Sequence, residues 1–308
     1  MIGTACGKVI LLGEHAVVYG VPAIAVGIDR GASAEAARID APSCTLALGD
    51  AVRASPDDGS DTGRAFGAVL AACGVDFGVQ VTAETTLPPG AGLGCSAALG
   101  VAVVRALDGL VGRAGAPPDE VAERAMAWER VFHGNPSGVD TTTAARGGCL
   151  RFERGAAGAS VRAVRLARPL VLAVGHTGVA SSTRTMVEGL AHLRERRPDL
   201  VAKSFEAIRS LVDNAAVALE TGDLAGLGHL LDLGQMVLSG LMLSTAEIET
   251  LCRLAREAGA LGAKLTGAGG GGCVVALVAG DAGPVLAAWE RAGFRAFATT
   301  VGGVTETP

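Results

Sequence analysis

The stretch that most constrains this chain runs from Leu87 to Leu99, L-P-P-G-A-G-L-G-C-S-A-A-L. Pro88 and Pro89 end whatever regular element precedes them, because proline fixes its own φ and lacks an N–H. Gly90, Gly92 and Gly94 follow at alternate positions, and a run of small apolar residues then reads as a helix through about Leu110. A glycine loop that opens into a helix N-terminus gathers unpaired backbone N–H groups and the positive end of the helix dipole at one place. Glycine also lets the backbone approach a bulky anion with no Cβ in the way. Ser96, in the first turn, either caps the helix or reaches a metal. Taken alone, the same residues equally describe a tight turn with a serine cap. The loop is neither of the common nucleotide loops: it lacks the Lys-Ser/Thr ending of the Walker type, and the chain beyond it continues as helix where a dinucleotide fingerprint needs an acidic strand. A phosphate bound here therefore needs its positive charge from elsewhere in the chain.

The remaining sequence narrows the class. At 308 residues with 49% apolar and 19% charged content, the chain can bury a large core and has room for two domains. A net charge of -5, with no long basic block and only three Trp and Tyr residues, gives nucleic-acid binding little support. Seven cysteines without C-x-x-C spacing read as reduced thiols, not as a disulfide frame or a zinc site. Lys8, Glu14 and His15 interrupt the first apolar run, and no apolar segment is long enough to span a membrane, so a cytoplasmic protein is expected.

Thr4 to Leu12 reads as a strand holding one charge, Lys8, followed by a turn at Gly13-Glu14-His15 and a second strand over Ala23 to Ile28. A lysine inside an apolar strand is costly unless its charge is matched. Lys8 is either on a solvent face or part of a polar cluster with the Glu14-His15 turn. Ala32 to Leu48 alternates loosely as strands do, Arg64 to Cys73 reads as a short helix, and Gly78 to Thr85 is a strand feeding the glycine loop. In the helix Pro118 to Phe132, Val121, Ala125, Trp128 and Phe132 share a face, with Glu129 at its edge. A carboxylate there wants a cation, and Arg124 or Arg130 is the structural alternative to a functional role. Asp140, closing the polar run His133 to Asp140, is either an ordinary N-cap or a functional carboxylate. Cys149 to Glu153 and Val161 to Leu166 read as a hairpin. From Pro169 onward the order is strand, helices, strand, strand, helix, strand, the order of a ferredoxin-like sandwich with extra helices in its first crossover. Its Gly267-to-Gly272 connection holds more glycine than a hairpin needs, and a backbone loop closing on a ligand explains it better.

Three segments together carry a resemblance. G-K-V-I-L-L-G-E-H-A-V-V-Y-G at Gly7 to Gly20, P-P-G-A-G-L-G-C-S-A-A at Pro88 to Ala98, and K-L-T-G-A-G-G-G-G-C at Lys264 to Cys273 resemble the signature motifs of the small-molecule kinases grouped as galactokinase, homoserine, mevalonate and phosphomevalonate kinases. Order and spacing match over essentially the whole chain. Within that group, H-G-N-P-S-G-V-D at His133 to Asp140 and T-G-V-A-S-S-T-R at Thr177 to Arg184 are most similar to the mevalonate kinase branch. Cys95 departs from the pattern, which commonly has serine there; Ser96 is retained.

The resemblance implies an α+β, two-domain small-molecule kinase fold: an N-terminal α/β ATP-binding domain (residues 1–167) and a C-terminal ferredoxin-like domain (168–308). It implies ATP and Mg²⁺ as cofactors, mevalonate as the small-molecule substrate, phosphorylation at the 5-hydroxyl by default, and a homodimer. Gly90, Ala91, Gly92, Leu93, Gly94, Cys95 and Ser96 would wrap the ATP phosphates. Ser96 and Glu129 would hold the metal. Asp140 would act as base or orienting group at the substrate hydroxyl, and Lys8 would neutralise charge beside Asp140 and the transferred phosphoryl group. Glu14, His15 and Thr183 would face the substrate, with Gly269 and Gly270 closing over it. The chemistry agrees, since phosphoryl transfer is mostly positioning and charge stabilisation. Two rivals share these features. A relative acting on another hydroxyl, or decarboxylating a diphosphorylated substrate, differs only in its substrate-facing segments. A non-enzymatic relative predicts loss of some of Lys8, Ser96, Glu129 or Asp140, and all four are present.

Overall fold

Residues 1–133, 136–155 and 158–302 are described by a computed structural model. They fall into two compact units that the chain visits alternately. The first comprises Met1–Lys8, Arg30–Pro89 and Gly94–Gly147; the second comprises Val9–Asp29, Gly90–Leu93 and the chain from Gly148 onward. Two strands, β1 (Ile2–Leu12) and β2 (Ala23–Arg38), run through both. The sequence suggests a break in β2 near Asp29-Arg30-Gly31, yet the strand is continuous. Those two charged residues are exposed positions where its pairing partner changes, not a turn.

In the first unit, Ala32–Arg38 of β2 pairs antiparallel with β5 (Val79–Thr85), which runs parallel to β3 (Cys44–Leu48); β3 in turn pairs antiparallel with β4 (Val52–Ala54). Four helices complete it: α1 (Asp61–Ala72), α2 (Cys95–Leu110), α3 (Pro118–His133) and α4 (Val139–Arg146). The Ser60 hydroxyl starts α1 by accepting from the Gly63 N–H at 2.9 Å, satisfying one of the helix's orphan donors. Helix α2 is buried almost all round, as its small apolar residues suggest. Helix α3 buries Val121, Ala125 and Trp128 at helical spacing, and Glu129 lies buried beside them.

The second unit holds β6 (Cys149–Gly155) and β7 (Gly158–Ala163), an antiparallel hairpin against Ala23–Val26 of β2. It also holds an antiparallel sheet of β8 (Leu170–His176), β9 (Gly262–Thr266), β10 (Cys273–Val278) and β11 (Arg295–Val301), in the order β11-β8-β10-β9. Helices α5 (Thr183–Arg196), α6 (Pro198–Thr221), α7 (Leu224–Gly240) and α8 (Ala246–Glu257) lie between β8 and β9 in the chain, and α9 (Gly283–Arg291) between β10 and β11. This is the expected ferredoxin-like order with an enlarged first crossover. Every residue of β9 and β10 is buried, because these strands sit beneath packed helices. Among the described residues, no helix is long and apolar enough to cross a membrane.

Candidate active site

In the first unit Gly94, the last glycine of the loop, leads the chain into α2. Gly94 precedes the helix with φ +74°, and a Cβ there would stand 2.9 Å from Cγ of Lys8, so a glycine is what admits the lysine stem. Ser96 is not the cap; that place is held by Gly94 without a side-chain bond. The Ser96 hydroxyl instead donates to Oε1 of Glu129 at 2.5 Å and accepts from the Trp128 indole N–H at 3.2 Å. Burial pushes the Glu129 carboxyl above its ordinary range; the Ser96 hydrogen bond opposes this, as do His133 and Lys8, while Asp140 adds to it. Neither arginine named as the structural alternative pairs with Glu129 here: Arg124 engages Asp108 at 2.7 Å and Glu120 at 3.6 Å, and Arg130 is exposed.

Lys8 is buried and its Nζ lies 3.2 Å from Oδ1 of Asp140. Asp140 is not an N-cap, since Gly138 holds that place and Asp140 sits in the first turn of α4. The pair is asymmetric: the lysine side chain is 4% exposed and the aspartate 37%. Cys95 donates weakly to the Thr85 hydroxyl at 3.8 Å, and burial raises its pKa, so it remains a thiol. Lys8, Ser96, Glu129 and Asp140 thus form one cluster. It offers two hard oxygens and an open carboxylate held by a sealed cation. Magnesium takes one or two protein oxygens and completes its shell with phosphate and water, which the Ser96–Glu129 pair fits.

The second unit brings together a different set. Glu14 is buried and pairs with Lys264, which is itself buried. His15 has φ +59° and ψ -48°, and the Ala16 N–H donates to the Glu14 carbonyl at 2.6 Å across it. This is a γ-turn of the strained kind, unusual for a residue with a Cβ. The His15 Nε2–H donates to the Ala268 carbonyl at 2.7 Å, which leaves Nδ1 as an acceptor, and burial lowers the pKa so that the ring stays neutral.

The Gly90–Leu93 segment touches the final glycine loop directly. A Cβ on Gly92 would meet the Thr266 carbonyl at 2.9 Å, and one on Gly267 would meet Cα of Gly92 at the same distance. Both have positive φ, so this backbone-on-backbone approach needs glycine on each side. Ser181 ties the turn before α5 to both loops, its N–H donating to the Gly90 carbonyl at 3.2 Å and its hydroxyl to that of Gly269 at 2.5 Å. Gly269 and Gly270 pack against the Leu243 carbonyl and Met186. Thr183 opens α5 and is exposed. Lys264 and Ser181 lie within the motifs at Lys264 to Cys273 and Thr177 to Arg184, and their contacts come from residues distant in the chain. For Lys264 a signal was present, a lone lysine in an apolar strand, as at Lys8.

Residues 62–148 match the family described as GHMP kinases N terminal domain, and residues 215–296 match GHMP kinases C terminal. The chain is 35% identical to a mevalonate kinase of Thermococcus sibiricus, covering 95% of this chain and 93% of that protein. It is 37% identical to a mevalonate kinase of Aeropyrum pernix, over 89% and 87%. The crystal structure of L. major mevalonate kinase in complex with R-mevalonate superposes with a TM-score of 0.87 at 29% identity, covering 99% of this chain and 96% of that one.

Proposed function

This chain belongs to the GHMP kinase family, and we propose that it transfers the γ-phosphoryl group of ATP to mevalonate, giving 5-phosphomevalonate in the mevalonate (isoprenoid) pathway. The observation that carries the reading is the Lys8–Asp140 pair at 3.2 Å, clustered with the Ser96–Glu129 pair. Phosphoryl transfer needs an acceptor for the hydroxyl proton and fixed positive charge for the transferred group. Asp140 supplies the first and Lys8 the second, each offsetting the other's burial. The loop Gly90 to Ser96 presents N–H groups to the ATP phosphates. Ser96 and Glu129 would hold Mg²⁺, which would draw charge from the phosphates. Glu14, His15, Thr183, Gly269 and Gly270 bind the acceptor, with the neutral His15 ring offering Nδ1 to a hydroxyl. The activity named for the relatives supports the choice of acceptor. The proposal extends to a homodimeric, cytoplasmic enzyme, with residues 1–167 serving ATP and 168–308 serving part of the acceptor site.

ADP production with Mg-ATP against mevalonate, phosphomevalonate, homoserine, galactose and no acceptor tests this. Turnover on mevalonate alone is expected, at roughly 1–100 per second, with the product assigned to the 5-position by NMR. Turnover only on another alcohol overturns the choice of substrate and the roles of His15 and Thr183, while leaving the phosphate loop in place.

A further inference from the structure

Lys264 is fully buried in β9, where its neighbours Ala263 and Leu265 are apolar core residues. Its stem passes α7 at Gly234, where a Cβ would stand 3.5 Å from Cε of Lys264 and 2.6 Å from Cδ2 of Leu12. Its Nζ donates to Glu14 and, at 2.5 Å, to the carbonyl of Leu265. The strand is fixed on both sides. The Leu265 N–H donates to Oε1 of Gln235 at 2.9 Å, and Nε2 of Gln235 donates to Ser244 at 3.0 Å and Glu249 at 2.9 Å. Thr266 exchanges hydrogen bonds with the backbone of Ile10 at 2.9 and 3.2 Å.

Stability alone does not explain this pair. A buried ion pair is commonly no better for the fold than apolar residues of similar volume, because both charges lose water. The position calls for an apolar residue, and a lysine stands there. Its target adjoins the strained turn at His15, and such strain persists only where the surroundings over-determine it. One five-residue segment supplies both restraints, Lys264 on Glu14 and the Ala268 carbonyl on His15.

We infer that Lys264 is a positioning residue for acceptor binding, holding the Glu14 carboxylate, and with Ala268 the Glu14–His15 turn, in the geometry that receives the substrate's hydroxyl groups. The inference rests on the proposed contact of Glu14 with the acceptor. Lys264 acts through Glu14 and leaves the ATP side untouched.

Kinetics of Glu14→Gln, Lys264→Met, Lys264→Gln and the double variant Glu14→Gln/Lys264→Met, in the full chain, test it. Each single variant is expected to raise KM for mevalonate by about 10- to 100-fold, the loss of one charge-assisted hydrogen bond, with KM for ATP within about twofold. The double variant, which leaves no buried charge, is expected to match Glu14→Gln. Lys264→Gln keeps a donor at the position and decides the matter if Lys264→Met does not fold. Folded Lys264 variants with unchanged KM for mevalonate, whatever their melting temperature, overturn the inference. So does a double variant markedly worse than Glu14→Gln, since Lys264 would then act on its own. An unchanged KM in Glu14→Gln itself removes the contact on which the inference rests, an outcome distinct from failure at Lys264.

Discussion

Two lysine–carboxylate pairs, one in each unit, use the same chemistry to different ends. Lys8 and Asp140 meet with the cation sealed and the carboxylate 37% exposed. Lys264 and Glu14 meet with both side chains almost wholly enclosed, at 0% and 1%. An open carboxylate beside a fixed cation can receive a proton from a bound alcohol and release it. A sealed pair cannot exchange protons readily, but it can hold a backbone turn in a conformation that local preferences disfavour. The difference in burial, not in residue type, separates a group suited to chemistry from one suited to position.

The sharpest way to break this comparison is at the open pair. Asp140→Asn keeps shape and removes the proton acceptor. The expected result is a fall in kcat of about 10²- to 10⁴-fold with KM for ATP little changed, read by steady-state ADP production. Near-normal turnover would strip Asp140 of its role and leave the open pair merely structural.

Stability gives the second contrast. Lys264→Met leaves Glu14 buried without its cation and is expected to cost about 3–5 kcal/mol in urea unfolding, the usual penalty for orphaning a sealed charge. Lys8→Met is expected to cost less, because the partly exposed Asp140 carboxylate retains access to water. Equal losses would mean that the two pairs do not differ in the way their burial indicates.

The smallest effect concerns His15, which shares the turn with Glu14. Burial lowers its pKa below the ordinary value of 6.5. The unfolded chain therefore takes up a proton near that value while the folded protein does not. His15 contributes stability that is present above pH 6.5 and lost as the pH falls below it. His15→Asn should flatten that acid limb, seen as a smaller difference between urea midpoints at about pH 5 and about pH 7.5. An identical difference in the two proteins would show that the ring does not titrate on unfolding.

Much of this was readable from sequence because it is local. Proline before alternating glycines dictates a loop, and small apolar residues after it dictate a helix. The succession of strands and helices along the chain after Pro169 follows from period and spacing in the same way. Where the reading faltered, the deciding partner lay far off in the chain. The strands read over Ala23 to Ile28 and from Ala32 are one continuous strand, because the change of partner strand across Asp29-Arg30-Gly31 is not written in neighbouring residues. Glu129 looked equally suited to Arg124, which Asp108 claims. Asp140 reads in sequence as either a cap or a functional carboxylate; Gly138 takes the cap position, and Lys8, far earlier in the chain, is the partner that Asp140 meets.

What the sequence determined by itself, then, is the set of loops and elements and the residue types able to cradle phosphate, accept a proton and carry charge. Short-range backbone sterics and hydrophobic period govern these, and both act over a few residues. Only the tertiary structure decided which cation meets which carboxylate and which of those pairs stays open to solvent. Lys264 and Glu14 are 250 residues apart, and burial is set by everything packed around them rather than by their neighbours in the chain.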